Sequence, residues 1–328
     1  MGIRIDRLTT LYVVDPLRRR SLANKASIPI LMYHSIADED ESGVHPYYRT
    51  STAPQVFAAQ MKSLHDDGFS VVDVGEAIHR LSAAQTMKNS VVITFDDGYR
   101  DFYTNAFPVL AQYRFTATMF LPTAHVGQST LTFKGKECLS WNEVRELQKS
   151  GISFGSHTVT HPQLHDLDTY SIRKEIVISK GTIEQKLGCP APSFSYPYAF
   201  PESDDSFKAR LRDELQAVGY ENGVCTTVGR LSPASDPFFV NRLPVNSEDD
   251  PRLFHAKLAG SYDWISKPQY IVKMAKRWAQ AGRIGSVSSS NWVDPLECDI
   301  SEIGACTSDT FSTGTRPDIR RGGRSSRS

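Results

Sequence analysis

The sequence predicts an α/β fold, a distorted (β/α) barrel of about seven parallel strands. Three observations predict it. Short apolar runs alternate with longer helical patterns from residue 28 to 265. The runs are almost wholly apolar instead of alternating, as strands covered on both faces are. Finally, seven or eight repeats over roughly 240 residues suit a closed barrel better than a small open sheet, a doubly wound open sheet being the structural alternative.

In chain order the strand candidates are "IPILMY" (28–33), "SVVDV" (70–74), "VVITF" (91–95), "TATMFL" (116–121), "ISFG" (152–155), "SFSY" (193–196), "GVCTT" (223–227) and "FFVNRL" (238–243). Between them, segments 54–68, 101–114, 140–151, 169–188 and 203–219 carry apolar residues at three- and four-residue spacing. Most of these end in glycine, a common helix stop. Ser140 and Glu143 have the spacing of a capping box. Residues 1–25 read as an N-terminal extension, 26–265 as the catalytic domain and 266–283 as an amphipathic C-terminal helix ("PQYIVKMAKRWAQAG") packing on the outside. The Ser-, Gly- and Thr-rich stretch 284–328 has too few apolar residues to bury and is expected to be disordered.

Composition narrows the function classes. The 328 residues are 40% apolar and 23% charged, typical of a globular protein. Thirty-seven basic and 37 acidic side chains give no net charge, which argues against a nucleic-acid partner and a generally basic membrane-surface protein. No window approaches the roughly 18 consecutive apolar residues of a membrane span. Residues 1–21 lack the charge-first, long apolar pattern of a secretory signal, so a cytoplasmic location is expected. Cys138, Cys189, Cys225, Cys298 and Cys306 are scattered without a C-x-x-C pair, so neither a disulfide framework nor a thiolate zinc site is indicated.

The chemistry gathers at three strand ends. "TFDDGY" follows a fully apolar strand with two adjacent carboxylates, Asp96 and Asp97. "FGSHTVTHPQL" sets His157 and His161 four apart just after a strand, and "FSYPYAF" puts Pro197 and Tyr198 after another. Each is ambiguous alone, since Asp-Asp-Gly also builds turns and helix N-caps. Together, a carboxylate and two imidazoles from strand ends of one sheet make an open three-ligand site for a divalent metal. With Asp97 as the third ligand, Asp96 stays free beside the metal as a proton acceptor.

With these motifs the sequence resembles the polysaccharide deacetylase family, the NodB-homology domains of carbohydrate esterase family 4. Thr94–Gly98 is the family's T-F-D-D-G motif, and His157-Thr158-Val159-Thr160-His161-Pro162 its H-[ST]-x-x-H-P motif. The resemblance covers about residues 28–265. It implies Asp96 as catalytic base, Asp97, His157 and His161 as ligands of zinc or a similar metal, and removal of N-acetyl groups from a glycan, such as an exopolysaccharide, with release of acetate. Cobalt, nickel and iron also suit such a ligand set. The third motif, R-x-P-Y, stands as Ser195-Tyr196-Pro197-Tyr198. The Tyr198 N–H is implied as an oxyanion donor. Ser195 replaces the arginine that steadies the base, and Arg242 in "NRLPV" is a candidate substitute.

Relatives place a general-acid histidine near the end of the domain. Here "PILMYHSI" is an apolar strand ending in His34, resembling that last motif moved to the front, as in the circularly permuted exopolysaccharide deacetylases. A closed barrel permits this because its first and last strands are neighbours, and the acid role is assigned to His34. His165 is read at a helix entry, with a fourth-ligand role as the alternative; His255 is read on a helix, and Trp141 and Trp264 as packing residues. "HPYYRTS" (45–51) reads either as a sugar-stacking rim or as simple packing. A non-catalytic, metal-containing glycan-binding protein is the alternative function, supported by Ser195. A phosphatase or glycosyltransferase reading of "FDDG" fails, because those sites want Asp-x-Asp and leave the histidines unexplained.

Overall fold

The computed structural model describes residues 4–20, 26–83 and 89–266. The C-terminal helix expected over 266–283, but for its first residue, and the tail expected over 284–328 lie outside them. Two short helices come first, α1 (Ile5–Thr9) and α2 (Asp15–Arg20). The barrel then runs β1 (Ile30–Tyr33), α3 (Pro54–Asp66), β2 (Ser70–Val71), α4 (Val74–Ser82), β3 (Ser90–Phe95), α5 (Phe107–Tyr113) and β4 (Thr118–Leu121). A hairpin of β5 (Thr132–Phe133) and β6 (Lys136–Glu137) follows, then α6 (Trp141–Lys149), β7 (Ser153–Ser156), α7 (Thr169–Leu187), β8 (Ser193–Ser195), α8 (Asp205–Val218), β9 (Asn222–Val228), β10 (Val240–Pro244) and α9 (Pro251–Leu258).

Seven parallel strands close in the order β1-β10-β9-β8-β7-β4-β3, with β1 pairing both β10 and β3. β2 adds to β3 outside this ring. All eight strands expected from the sequence are present, and Ser140 and Glu143 form the capping box on α6. Three features differ from expectation. "SVVDV" gives only two strand residues, because Asp73 accepts a hydrogen bond from Glu76 N at 2.7 Å and starts α4. The β5–β6 hairpin has two-residue arms, too short for a periodic signal. The N-terminal extension is helical through Arg20.

Alternation along the strands divides the core. Leu31, Tyr33, Val91, Ile93 and Phe95 pack outward with Met61, Leu64 and Leu110 of the helices. Ile30, Val92, Phe120, Val224 and Val240 fill the barrel interior, with Val74, Ala77 and Leu81 of α4 closing its lower end. Gly155 is required there, since a Cβ would meet the Phe120 ring at 2.6 Å. Above this apolar plug the interior turns polar.

Candidate active site

Asp96 and Asp97 leave β3 at the C-terminal mouth of the barrel, where parallel-strand folds place their chemistry. Asp96 N donates to Tyr33 O at 3.0 Å, so His34 emerges beside it from the neighbouring strand. The two carboxylates are both buried and are compensated differently.

Asp96 is held by Arg242 of β10. The guanidinium donates from Nη1 to Oδ1 at 2.8 Å and from Nη2 to Oδ2 at 2.7 Å. Arg242 is fully buried inside the barrel, over the Phe120 ring. Its remaining donors reach Thr94 Oγ1 at 3.2 Å and Cys225 O at 3.1 Å. Ser195 Oγ completes the set, accepting from Arg242 Nη2 at 3.1 Å and donating to Asp96 Oδ1 at 3.3 Å. A two-pronged pair with every donor used is the arrangement in which a buried ion pair survives its desolvation. Burial pushes the Asp96 carboxyl up, but the charge and hydrogen bonds of Arg242 outweigh it and lower it to about 2. Arg242 thus stands where the sequence lacked an arginine, with Ser195 as its partner.

Asp97 faces His157 and His161. Its Oδ1 lies 3.1 Å from His161 Nε2 and 3.5 Å from His157 Nε2. His157 Nδ1 donates to Ser195 O at 2.8 Å, which leaves the Nε2 lone pair pointing at Asp97. Asp97 Oδ1 and His161 Nδ1 are buried without a hydrogen-bond partner among the described residues. One carboxylate oxygen and two imidazole nitrogens within 4.8 Å of one another, with an orphaned buried oxygen among them, fit a divalent cation. Burial dominates at His161 and pushes its imidazole down to about 4.

The backbone around these groups is strained. Of the seven described non-glycine residues with positive φ, five lie here: Asp97, Lys134, Thr158, His161 and Tyr198. Such conformations are costly and concentrate at functional sites. Glu175 of α7 props the histidine loop, accepting from Val159 N at 2.7 Å and Thr160 N at 2.9 Å. Gly98, at φ +64, turns the chain where a Cβ would come within 3.1 Å of Leu121.

Residues 83–223 match the family model described as polysaccharide deacetylase. YxkH of Bacillus subtilis (strain 168), named for the same family, is 32% identical over 224 residues, 67% of this chain and 72% of that protein. The chain belongs to the polysaccharide deacetylase family. The poly-beta-1,6-N-acetyl-D-glucosamine N-deacetylase of Staphylococcus aureus (strain MSSA476) is 25% identical over 210 residues, covering 60% of this chain and 69% of that one. Among solved structures, the Streptococcus pyogenes deacetylase PplD in complex with acetate superposes with a TM-score of 0.63 at 26% identity, over 71% of this chain and 99% of that chain.

Tyr198 sits at the lip of this deacetylase's site, its exposed ring 4.5 Å from that of His161. Its carbonyl is fixed by Thr226 Oγ1 at 2.8 Å, and among the described residues no backbone carbonyl accepts from its N–H. His34 is half-buried; burial pushes its imidazole down, against the pull of Asp97 and Asp96. Residues 50–52 bond to Ser35, so the 45–51 segment borders His34. Within it Tyr47 packs against the core and Tyr48 is exposed. His165 is not part of the cluster; its Nε2 lies 3.1 Å from Asp204 Oδ2, at the start of α8. His255 stands on α9 near Asp67, while Trp141 is buried and Trp264 half-buried.

Lys134, Tyr99 and Glu175 escaped the sequence reading. Lys134 Nζ reaches Asp97 Oδ2 at 3.3 Å, and Tyr99 OH donates to the same oxygen at 3.0 Å. Lys134-Gly135, both at positive φ, turn the β5–β6 hairpin over the site, and Phe133 stands 5.1 Å from His161. The Lys-Gly pair was the only sequence signal, since hairpin turns of this kind favour glycine.

Proposed function

We propose that the protein is a metal-dependent hydrolase that removes N-acetyl groups from amino sugars of a poly- or oligosaccharide, releasing acetate. The observation that carries this reading is the split between the two aspartates. One is charge-locked on Arg242, and the other shares an orphaned oxygen with two imidazoles. Asp97, His157 and His161 would hold the metal, with zinc the first candidate for such a donor set. A bound cation there supplies Lewis acidity and makes water acidic enough to be activated near neutral pH.

The chain's own residues do the rest. Asp96 accepts the proton of the attacking water, and Arg242 with Ser195 fixes which way its oxygens point. The Tyr198 N–H faces the carbonyl oxygen as negative charge develops there. His34 gives a proton to the nitrogen of the departing amine, so acetate and a free amino sugar leave separately. Tyr48 offers an exposed ring at the mouth against which a sugar face can stack. Ser195 was the best support for a non-catalytic binding protein, and the Arg242 pair removes that support.

Acetate release from a panel of N-acetylated oligosaccharides, with and without chelator, tests the proposal. A β-1,6-linked N-acetylglucosamine oligomer is the first substrate to try, on the strength of the staphylococcal relatives' name. Chelator-sensitive release from at least one substrate is expected. Glycan binding without release would overturn the reading.

A further inference from the structure

The helical segment from Ile5 to Arg20 is docked inside out. A helix on a protein surface normally buries its apolar stripe and shows polar residues to solvent. Here the buried side is mostly polar: Asp6, Thr10 and Asp15 are buried, with Leu11 the one buried apolar residue among them. Tyr262 OH donates to Asp6 at 2.7 Å, Trp264 Nε1 to Thr10 Oγ1 at 3.0 Å and Ser261 Oγ to Asp15 at 2.8 Å. Ile5, Leu8, Tyr12, Val13 and Leu17 point away, each between 43% and 69% exposed. A wider turn over Thr10–Val14 keeps both stripes in register from α1 into α2.

We propose that this outer face lies on an anionic lipid surface. A helix whose inner side is fixed by hydrogen bonds and whose outer side is apolar is built to stand between a protein and a non-aqueous phase. Two exposed arginines accompany these residues: Arg19, which reaches Asp15 at 2.9 Å, and Arg252, whose guanidinium lies 5.7 Å from the Tyr12 ring. Arg4 and Arg7 are taken up by Asp6 and Asp250, so the exposed positive charge here is that of Arg19 and Arg252. The apolar face consists of five exposed side chains, whereas a stable protein complex buries roughly 800 Å² on each partner, some 20–30 residues. A bilayer demands no such matching surface. No described helix is long and apolar enough to cross a membrane, so the contact is one of lying on the surface.

The test is co-sedimentation of the full-length protein with vesicles of phosphatidylcholine alone, or with about one quarter phosphatidylglycerol. Binding to the anionic vesicles is expected, weakened by salt and reduced about tenfold or more in a Leu8→Glu/Leu17→Glu variant. That variant should keep its melting temperature and its acetate release from a soluble oligosaccharide. Failure of the wild type to bind, equal binding by the variant, or a dimer that the same substitutions dissociate without any vesicle binding would each overturn the proposal.

Discussion

The mouth of the barrel and the helix at residues 5–20 both reverse the usual partition of polar and apolar side chains, in opposite senses. At the mouth, Asp96, Asp97, His157, His161 and Arg242 are driven inside. Along the helix, Ile5, Leu8, Tyr12, Val13 and Leu17 are left outside. The buried polar groups differ too. Asp6, Thr10 and Asp15 each have a hydrogen-bond partner, whereas Asp97 Oδ1 and His161 Nδ1 have none among the described residues. At the mouth the orphaned atoms differ in lying within one cluster of a carboxylate and two imidazoles, on backbone at positive φ.

The comparison can be broken most forcefully at Arg242. Arg242→Met strands a buried carboxylate and should cost about 3–5 kcal/mol, read by chemical denaturation. Pairing it with Asp96→Asn should recover much of that loss, because no lone charge is left inside. His34→Ala should slow acetate release about 100-fold or more without disturbing the fold. In the wild type the rate should fall as pH rises and His34 loses its proton. Burial lowers the His34 pKa from its ordinary value of about 6.5, so the decline should begin below neutrality and be missing in the variant.

Acid stability sharpens the contrast. The Asp96 carboxyl is lowered to about 2 in the folded protein, from about 3.9 unfolded. Its stabilisation is therefore fully present above the unfolded value and is lost as pH falls through about 2. Asp96→Asn should remove that part of the acid transition in a melting series. At the helix the effects are smaller. Thr10→Val leaves Trp264 Nε1 without its acceptor and should cost about 1 kcal/mol. Leu8→Ser, on the exposed face, should stay within about 0.5 kcal/mol.

How much was legible in the sequence follows the range of the forces. The strands announce themselves because each is a local apolar run, and Asp96, Asp97, His157 and His161 because each lies at the end of one. Arg242 was visible only as a candidate, since its pairing spans 146 residues and depends on barrel closure. Lys134 lay hidden in a hairpin with two-residue arms, which no periodicity can show. The helix at 5–20 was read only as an N-terminal extension, because its apolar residues face outward and give no core-facing stripe to recognise.

The most direct test of the division between the two aspartates is to measure metal content and acetate release together in Asp96→Asn. The account predicts a variant that retains the metal of the wild type and loses about 10²–10⁴-fold in turnover. Full turnover, or metal lost along with activity, would contradict it.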